Sequence, residues 1–129
     1  MSYYFSKIIE SKFEDAINKV TEALKTEGFG VLTEIRINEK LKEKHGVDFQ
    51  RYTILGACNP AFAYKALLAE NKIGTMLPCN VIVQEIGPNK IEVAAINPIE
   101  SMQAVKNPSL AETATKVKDL LEKVVMKIE

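Results

Sequence analysis

The chain has 129 residues, enough for one domain with a proper core and too few for two. Hydrophobic residues at 47% and charged residues at 26% are globular values, and 17 basic residues cancel 17 acidic ones. No long-range field therefore draws in nucleic acid or an anionic membrane surface, and no apolar run approaches the roughly 20 residues that span a bilayer.

Tyr3 to Ile9 reads as a first strand, rich in aromatic and β-branched residues. Ser11-Lys12-Phe13-Glu14 matches a capping box, with the serine hydroxyl accepting from an amide and the glutamate reaching back. Phe13, Ile17, Val20 and Leu24 then recur at helical spacing, widened by Ala16 and Ala23. Gly28 suits the left-handed position beyond the helix end. Val31 to Ile37 alternates, with Val31, Thr33, Ile35 and Ile37 on one face and Glu34, Arg36 and Asn38 on the other. Asn38 is placed to cap a short charged helix, Glu39 to His45, which Gly46 ends.

Arg51 to Ala57 is a third strand running into Cys58. Asn59-Pro60 opens a helix to about Glu70, with asparagine as cap and proline in the first turn. That helix is apolar almost all the way round, so it is either deeply buried or shared with a partner. Asn80 to Ile86 and Lys90 to Ile96 form a hairpin around Gly87-Pro88-Asn89, and Asn97-Pro98 stops it. A last helix begins at Asn107-Pro108 or Ser109. It carries the stripe Leu110, Ala114, Val117, Leu121, Val124 and Ile128, with Glu112–Lys116 and Asp119–Lys123 pairs beside it. The order is βαβ(α)βαββα. A hairpin and a strand with one wet side predict a two-layer α+β sandwich, its mainly antiparallel sheet covered by helices on one face. No repeat, linker or low-complexity stretch interrupts the single domain, residues 1–129.

Chemistry-bearing residues are few. There is one histidine and no tryptophan, and the two cysteines stand in related settings, each followed by asparagine and near a proline. The N-terminus, Met1-Ser2-Tyr3-Tyr4-Phe5-Ser6-Lys7, lacks the basic-then-apolar pattern of a secretory signal. The expected compartment is the cytoplasm, where thiols stay reduced, which argues against a structural Cys58–Cys79 disulfide. Cys58 ends a strand just before a helix, where unpaired amides favour a thiolate; a buried packing role is the alternative.

If the third and fourth strands are neighbours, Cys79 shares one rim of the sheet with Cys58, and Asn59 and Asn80 could position a ligand there. The cysteines are 21 positions apart with no CxxC motif, too few ligands for a structural zinc site. No cofactor or metal is therefore predicted; a soft metal would have to use Cys58, Cys79 and Met76. His45 reads as a surface residue at a helix C-terminus, though it is the one imidazole available as a base. Tyr3, Tyr4, Tyr52, Tyr64 and Phe62 belong to core, interface or pocket walls.

The blocks Gly56-Ala57-Cys58-Asn59-Pro60 and Ile73-Gly74-Thr75-Met76-Leu77-Pro78-Cys79-Asn80-Val81 resemble the bacterial and archaeal family catalogued as domain of unknown function 302. Gly28 to Ile35, Gly46 to Phe49 and Ala94-Ala95-Ile96-Asn97-Pro98 extend the likeness, with Asn97 where the family more often has aspartate. The resemblance implies a compact α+β domain assembled as a homodimer, and brings no established reaction, cofactor or catalytic residue. The sequence favours a non-enzymatic domain that binds a small ligand, or senses thiol state, in a cleft where Cys58, Asn59, Cys79 and Asn80 converge. The alternatives are a cysteine-dependent enzyme, a soft-metal binder, or an assembly module pairing through the Pro60–Ala69 helix.

Overall fold

The computed structural model describes residues 2–129. Five strands, β1 (Tyr4–Glu10), β2 (Gly30–Arg36), β3 (Tyr52–Cys58), β4 (Cys79–Gly87) and β5 (Lys90–Ile96), form one sheet in the order β1-β5-β4-β3-β2. Every neighbouring pair is antiparallel. The helices are α1 (Phe13–Thr26), α2 (Ile37–His45), α3 (Pro60–Ala69), α4 (Pro98–Ser101) and α5 (Ala111–Lys127), with 3-10 turns at Ile73–Met76 and Pro108–Leu110. This is the α+β sandwich that the pattern of elements predicts. Among the described residues, no helix is long and apolar enough to cross a membrane.

The core lies between the sheet and α1 with α5. On α1, Phe13, Ala16, Ile17, Val20, Ala23 and Leu24 are buried, the stripe expected from spacing. On α5, Val117, Leu121, Val124 and Val125 are buried against them, while Ala114 is buried beside the space under α3. Strand alternation supplies the opposing layer: Leu55 and Ala57 from β3, Val81 and Val83 from β4, Ile91, Val93 and Ala95 from β5. Burying each large side chain is worth about 1.5–3 kcal/mol, so these stripes dominate the fold. The other sheet face carries no helix of this layer, and Tyr4, Ile8 and Ile35 on it are exposed.

Several local expectations change. Ser11 does not cap α1; its hydroxyl donates to the Lys12 carbonyl, and Glu14 instead grips Arg36, whose Nη2 donates to Oε2 at 3.0 Å. That pair lowers the Glu14 pKa, the Arg36 hydrogen bond being the main cause. Asn38 does not cap α2 either, because its Oδ1 accepts from the Tyr52 amide at 3.2 Å. The even alternation of β2 is broken by a register shift between Val31 and Thr33. Val31 pairs with buried Ala57, whereas Thr33 and Ile35 pair with Gly56 and Ile54 on the opposite face. One extra residue flips the parity. On α5, Glu112 pairs with Lys116 at 3.0 Å, but Asp119 lies beside Lys118 rather than Lys123. Gly28 and Gly46 have φ of 85° and 67°, as their positions after α1 and α2 require.

Asn97 does more than end β5. Its Oδ1 accepts from the Ile99 amide, capping α4, and its Nδ2 donates to the Ser2 carbonyl at 3.3 Å. Its backbone N–H donates to the Tyr3 carbonyl at 2.7 Å, so this buried side chain and its backbone pin the chain's first residues to the sheet.

Candidate functional site

Antiparallel pairing of β3 with β4 sets Ala57 opposite Cys79 and so brings Cys58 and Cys79 to one rim of the sheet. Both are free thiols, half-buried. They line one cavity of about 290 Å3, roofed by α3 and closed behind by α5 and the turn at Leu110. Phe29, Phe62, Leu77, Met102 and Val117 contribute the apolar walls, and Asn59 stands at the rim. Among the described residues, no charged side chain lines the space.

Burial pushes the Cys79 thiol up to about 11, with the neighbouring Cys58 adding to the effect. Cys79 is thus a neutral thiol at physiological pH, a poor nucleophile and a poor metal ligand without prior deprotonation. Asn59 occupies the residue before α3 but makes no capping bond. Its amide lies against Gly28 instead: a Cβ built there would stand 3.1 Å from Nδ2. The positive φ at Gly28 disfavours a side chain there, and a Cβ would press on the Asn59 amide.

Of the four residues expected to converge, three do. Asn80 does not line the cavity; it opens onto a hollow on the outer face of the sheet and onto a depression that it shares with Cys79 and Met76 but not with Cys58. The reason is alternation, since the residue after Cys79 must point to the other face. Cys58, Cys79 and Met76 therefore share no common space. Among the described residues, no group of three His, Cys, Asp or Glu side chains could hold a metal ion. His45 is exposed at the end of α2. That helix leaves β2 at Arg36, whereas Gly30 at the other end pairs with Cys58, about 20 Å away along the strand.

The roof of the cavity is unusual. Only Ala66 of α3 is buried, while Tyr64 is 66%, Leu67 44% and Leu68 70% exposed, with Leu32 nearby at the cavity mouth 66% exposed. Within the single chain this all-apolar helix is not deeply buried. Asn107 holds the helix end in place, its Nδ2 donating to the Ala69 carbonyl at 2.8 Å. A smaller cluster of Ala66, Ile73 and Leu110, with Leu77 and Met102 against it, closes the side away from the main core. Phe62 faces the cavity, Tyr64 faces outward, and Tyr3, Tyr4 and Tyr52 line the hollow on the outer face. The helix start at Asn107-Pro108 is borne out, the Asn107 Oδ1 accepting from the Ser109 amide, but the tie from Asn107 to α3 was not foreseen; Asn97-Pro98, read only as a strand stop, signals a helix start as well.

The profile of the family described as "Domain of unknown function DUF302" matches residues 5–128. No curated protein matches the chain. Among solved structures it is similar to the "uncharacterized conserved protein DUF302 from Bacillus stearothermophilus", with 28% identity, a TM-score of 0.91 and complete coverage of both chains.

Proposed function

The chain belongs to the DUF302 family, and from that premise we propose that it is a small-molecule-binding domain whose ligand enters the apolar cavity beside Cys58, Asn59 and Cys79. The observation that carries this reading is a space of about 290 Å3 between the sheet rim and α3, bounded mostly by hydrocarbon, with two thiols, Asn59 and Thr113. An apolar cavity of about 150 Å3 already stays dry and takes up benzene. The lining also selects for charge. An ion placed there would lose its hydration with no counter-ion, a cost of several kcal/mol. The ligand is therefore uncharged and hydrocarbon-rich, with its polar end at the Asn59 amide. Thiol sensing is the second use of the same cleft, through Cys58, since Cys79 is held protonated. The exposed position of His45 favours binding over cysteine-dependent catalysis, which needs a base beside the thiol.

The test is a nuclear magnetic resonance titration with 1-octanol and, separately, octanoate. Saturable shifts at Phe29, Phe62 and Val117 with the alcohol but not the carboxylate support the reading. An equal response to both, or none, sinks it.

A second reading, self-association through α3, is favoured by the exposure of Tyr64, Leu67 and Leu68. A second copy packed on this helix would cover those side chains and the cavity mouth together. Because Phe62 faces inward, Leu68→Asp is the cleaner probe. A halved solution mass supports pairing through α3, and an unchanged dimer mass or a monomeric wild type removes it.

A further inference from the structure

The outer face of the sheet holds a second hollow, of about 380 Å3, unlike the first in chemistry. Tyr3, Tyr4 and Tyr52 form its walls, and Ile82 and Ala94 its floor. Tyr3 and Tyr4 meet edge to face, ring centroids 5.0 Å apart. The Tyr3 backbone is fixed by the hydrogen bond its carbonyl accepts from Asn97, so this wall has a defined position.

Glu92 is the one charged residue lining the hollow, and no lysine, arginine or histidine does so, among the described residues. A hydrogen-bond chain orients it: Gln50 Nε2 donates to Gln84 Oε1 at 2.8 Å, and Gln84 Nε2 donates to Glu92 Oε1 at 3.1 Å. The other carboxylate oxygen, Oε2, is left for a ligand. Burial raises the Tyr52 phenol, with Tyr3 and then Glu92 adding to it, which agrees with the three groups facing one another.

We propose that the hollow formed by Tyr3, Tyr4, Tyr52 and Glu92 is a binding site for small organic ammonium ions. Aromatic faces attract a cation through their quadrupole, most strongly when it carries alkyl groups and sheds water readily. A half-buried carboxylate supplies the formal counter-charge, and Asn80 and Gln84 at the edge offer acceptors for a substituent. An anion would meet Glu92 and be repelled, and a hydrocarbon would leave that carboxylate desolvated. The site lies on the opposite sheet face from the apolar cavity, so either can fail without the other.

Choline and its uncharged carbon isostere, 3,3-dimethyl-1-butanol, separate charge from shape. Titrating each into the full chain should give saturable amide shifts at Tyr52, Ile82 and Glu92 with choline alone. Glu92→Gln should weaken choline about ten-fold or more, as expected for losing a charged partner. The same variant should keep a wild-type amide spectrum away from the hollow, which shows that it is folded. Equal binding of the isostere, equal binding by Glu92→Gln, or no saturable response to choline overturns the site. So does a solution dimer in which these residues are protected and choline has no effect, since a second copy would then occupy the hollow.

Discussion

Ala63→Leu separates a real void from a filled one. Ala63 lies on α3, lines the cavity and is half-buried. Leucine is as good a helix former as its neighbours require, so the backbone cost is a few tenths of a kcal/mol. If the space is open, three added carbons move from water into contact with Phe62, Leu77 and Val117. At about 0.8 kcal/mol per buried CH2, the gain is about 2 kcal/mol before strain is subtracted. If the space is already filled, the same carbons overpack the roof and cost about 1–3 kcal/mol. The sign of the change therefore decides. Urea unfolding at neutral pH should show a higher midpoint at unchanged slope, and the 1-octanol response should fall. Lower stability with the octanol response intact would refute the placement of an apolar binding cavity under α3.

Other expectations are independent of ligand. Cys79 is raised in the folded chain to about 11, above its unfolded value near 9.0. Its stabilising contribution is therefore complete below pH 9 and is lost as pH climbs toward 11. The difference in unfolding free energy between wild type and Cys79→Ala should shrink across that window by about 2–3 kcal/mol, at about 1.4 kcal/mol per pH unit; a flat difference contradicts the burial of this thiol. The same shift leaves Cys79 with about 100-fold less thiolate than an ordinary cysteine at neutral pH, so iodoacetamide followed by peptide mass mapping should modify Cys58 first. Thr53 faces the core with a buried hydroxyl that has no hydrogen-bond partner among the described residues, so Thr53→Val should raise stability by about 1 kcal/mol in urea unfolding, and a loss would mean the hydroxyl is satisfied. Gly56→Ala would put a Cβ 2.8 Å from Pro78 Cγ and against the Thr33 hydroxyl; about 1–3 kcal/mol of destabilisation is expected by the same assay, and no change would show that the Pro78 loop yields.

Much of this architecture is written in hydrophobic spacing. The α1 and α5 stripes, the β4–β5 hairpin and the glycines after α1 and α2 follow from periodicity and turn chemistry, because each is decided within a few residues. What depends on a distant partner is not legible in that way. Ser11 and Asn38 carry capping chemistry, yet Asn38 is taken by the Tyr52 amide and the Glu14 of the presumed box by Arg36. The register shift in β2 leaves no compositional trace, and Val31-Leu32-Thr33 reads as ordinary strand. Convergence of Cys58 with Cys79 needs the β3–β4 pairing, which sequence order alone does not give. The exclusion of Asn80 from that cavity was available from alternation, since Asn80 follows Cys79 within β4 and its side chain turns to the opposite face. The outer hollow was the least visible, because its lining comes from four strands, β1, β3, β4 and β5, and from Tyr3 just before β1.

A crystal of the protein pressurised with xenon probes the space under α3 without needing any particular recognition, because xenon enters dry apolar cavities. A xenon atom is expected between α3 and the sheet rim, in contact with Phe62 and beside the Cys79 sulfur. Ordered water in that space, or a roof collapsed onto Cys58 with no xenon, would contradict it.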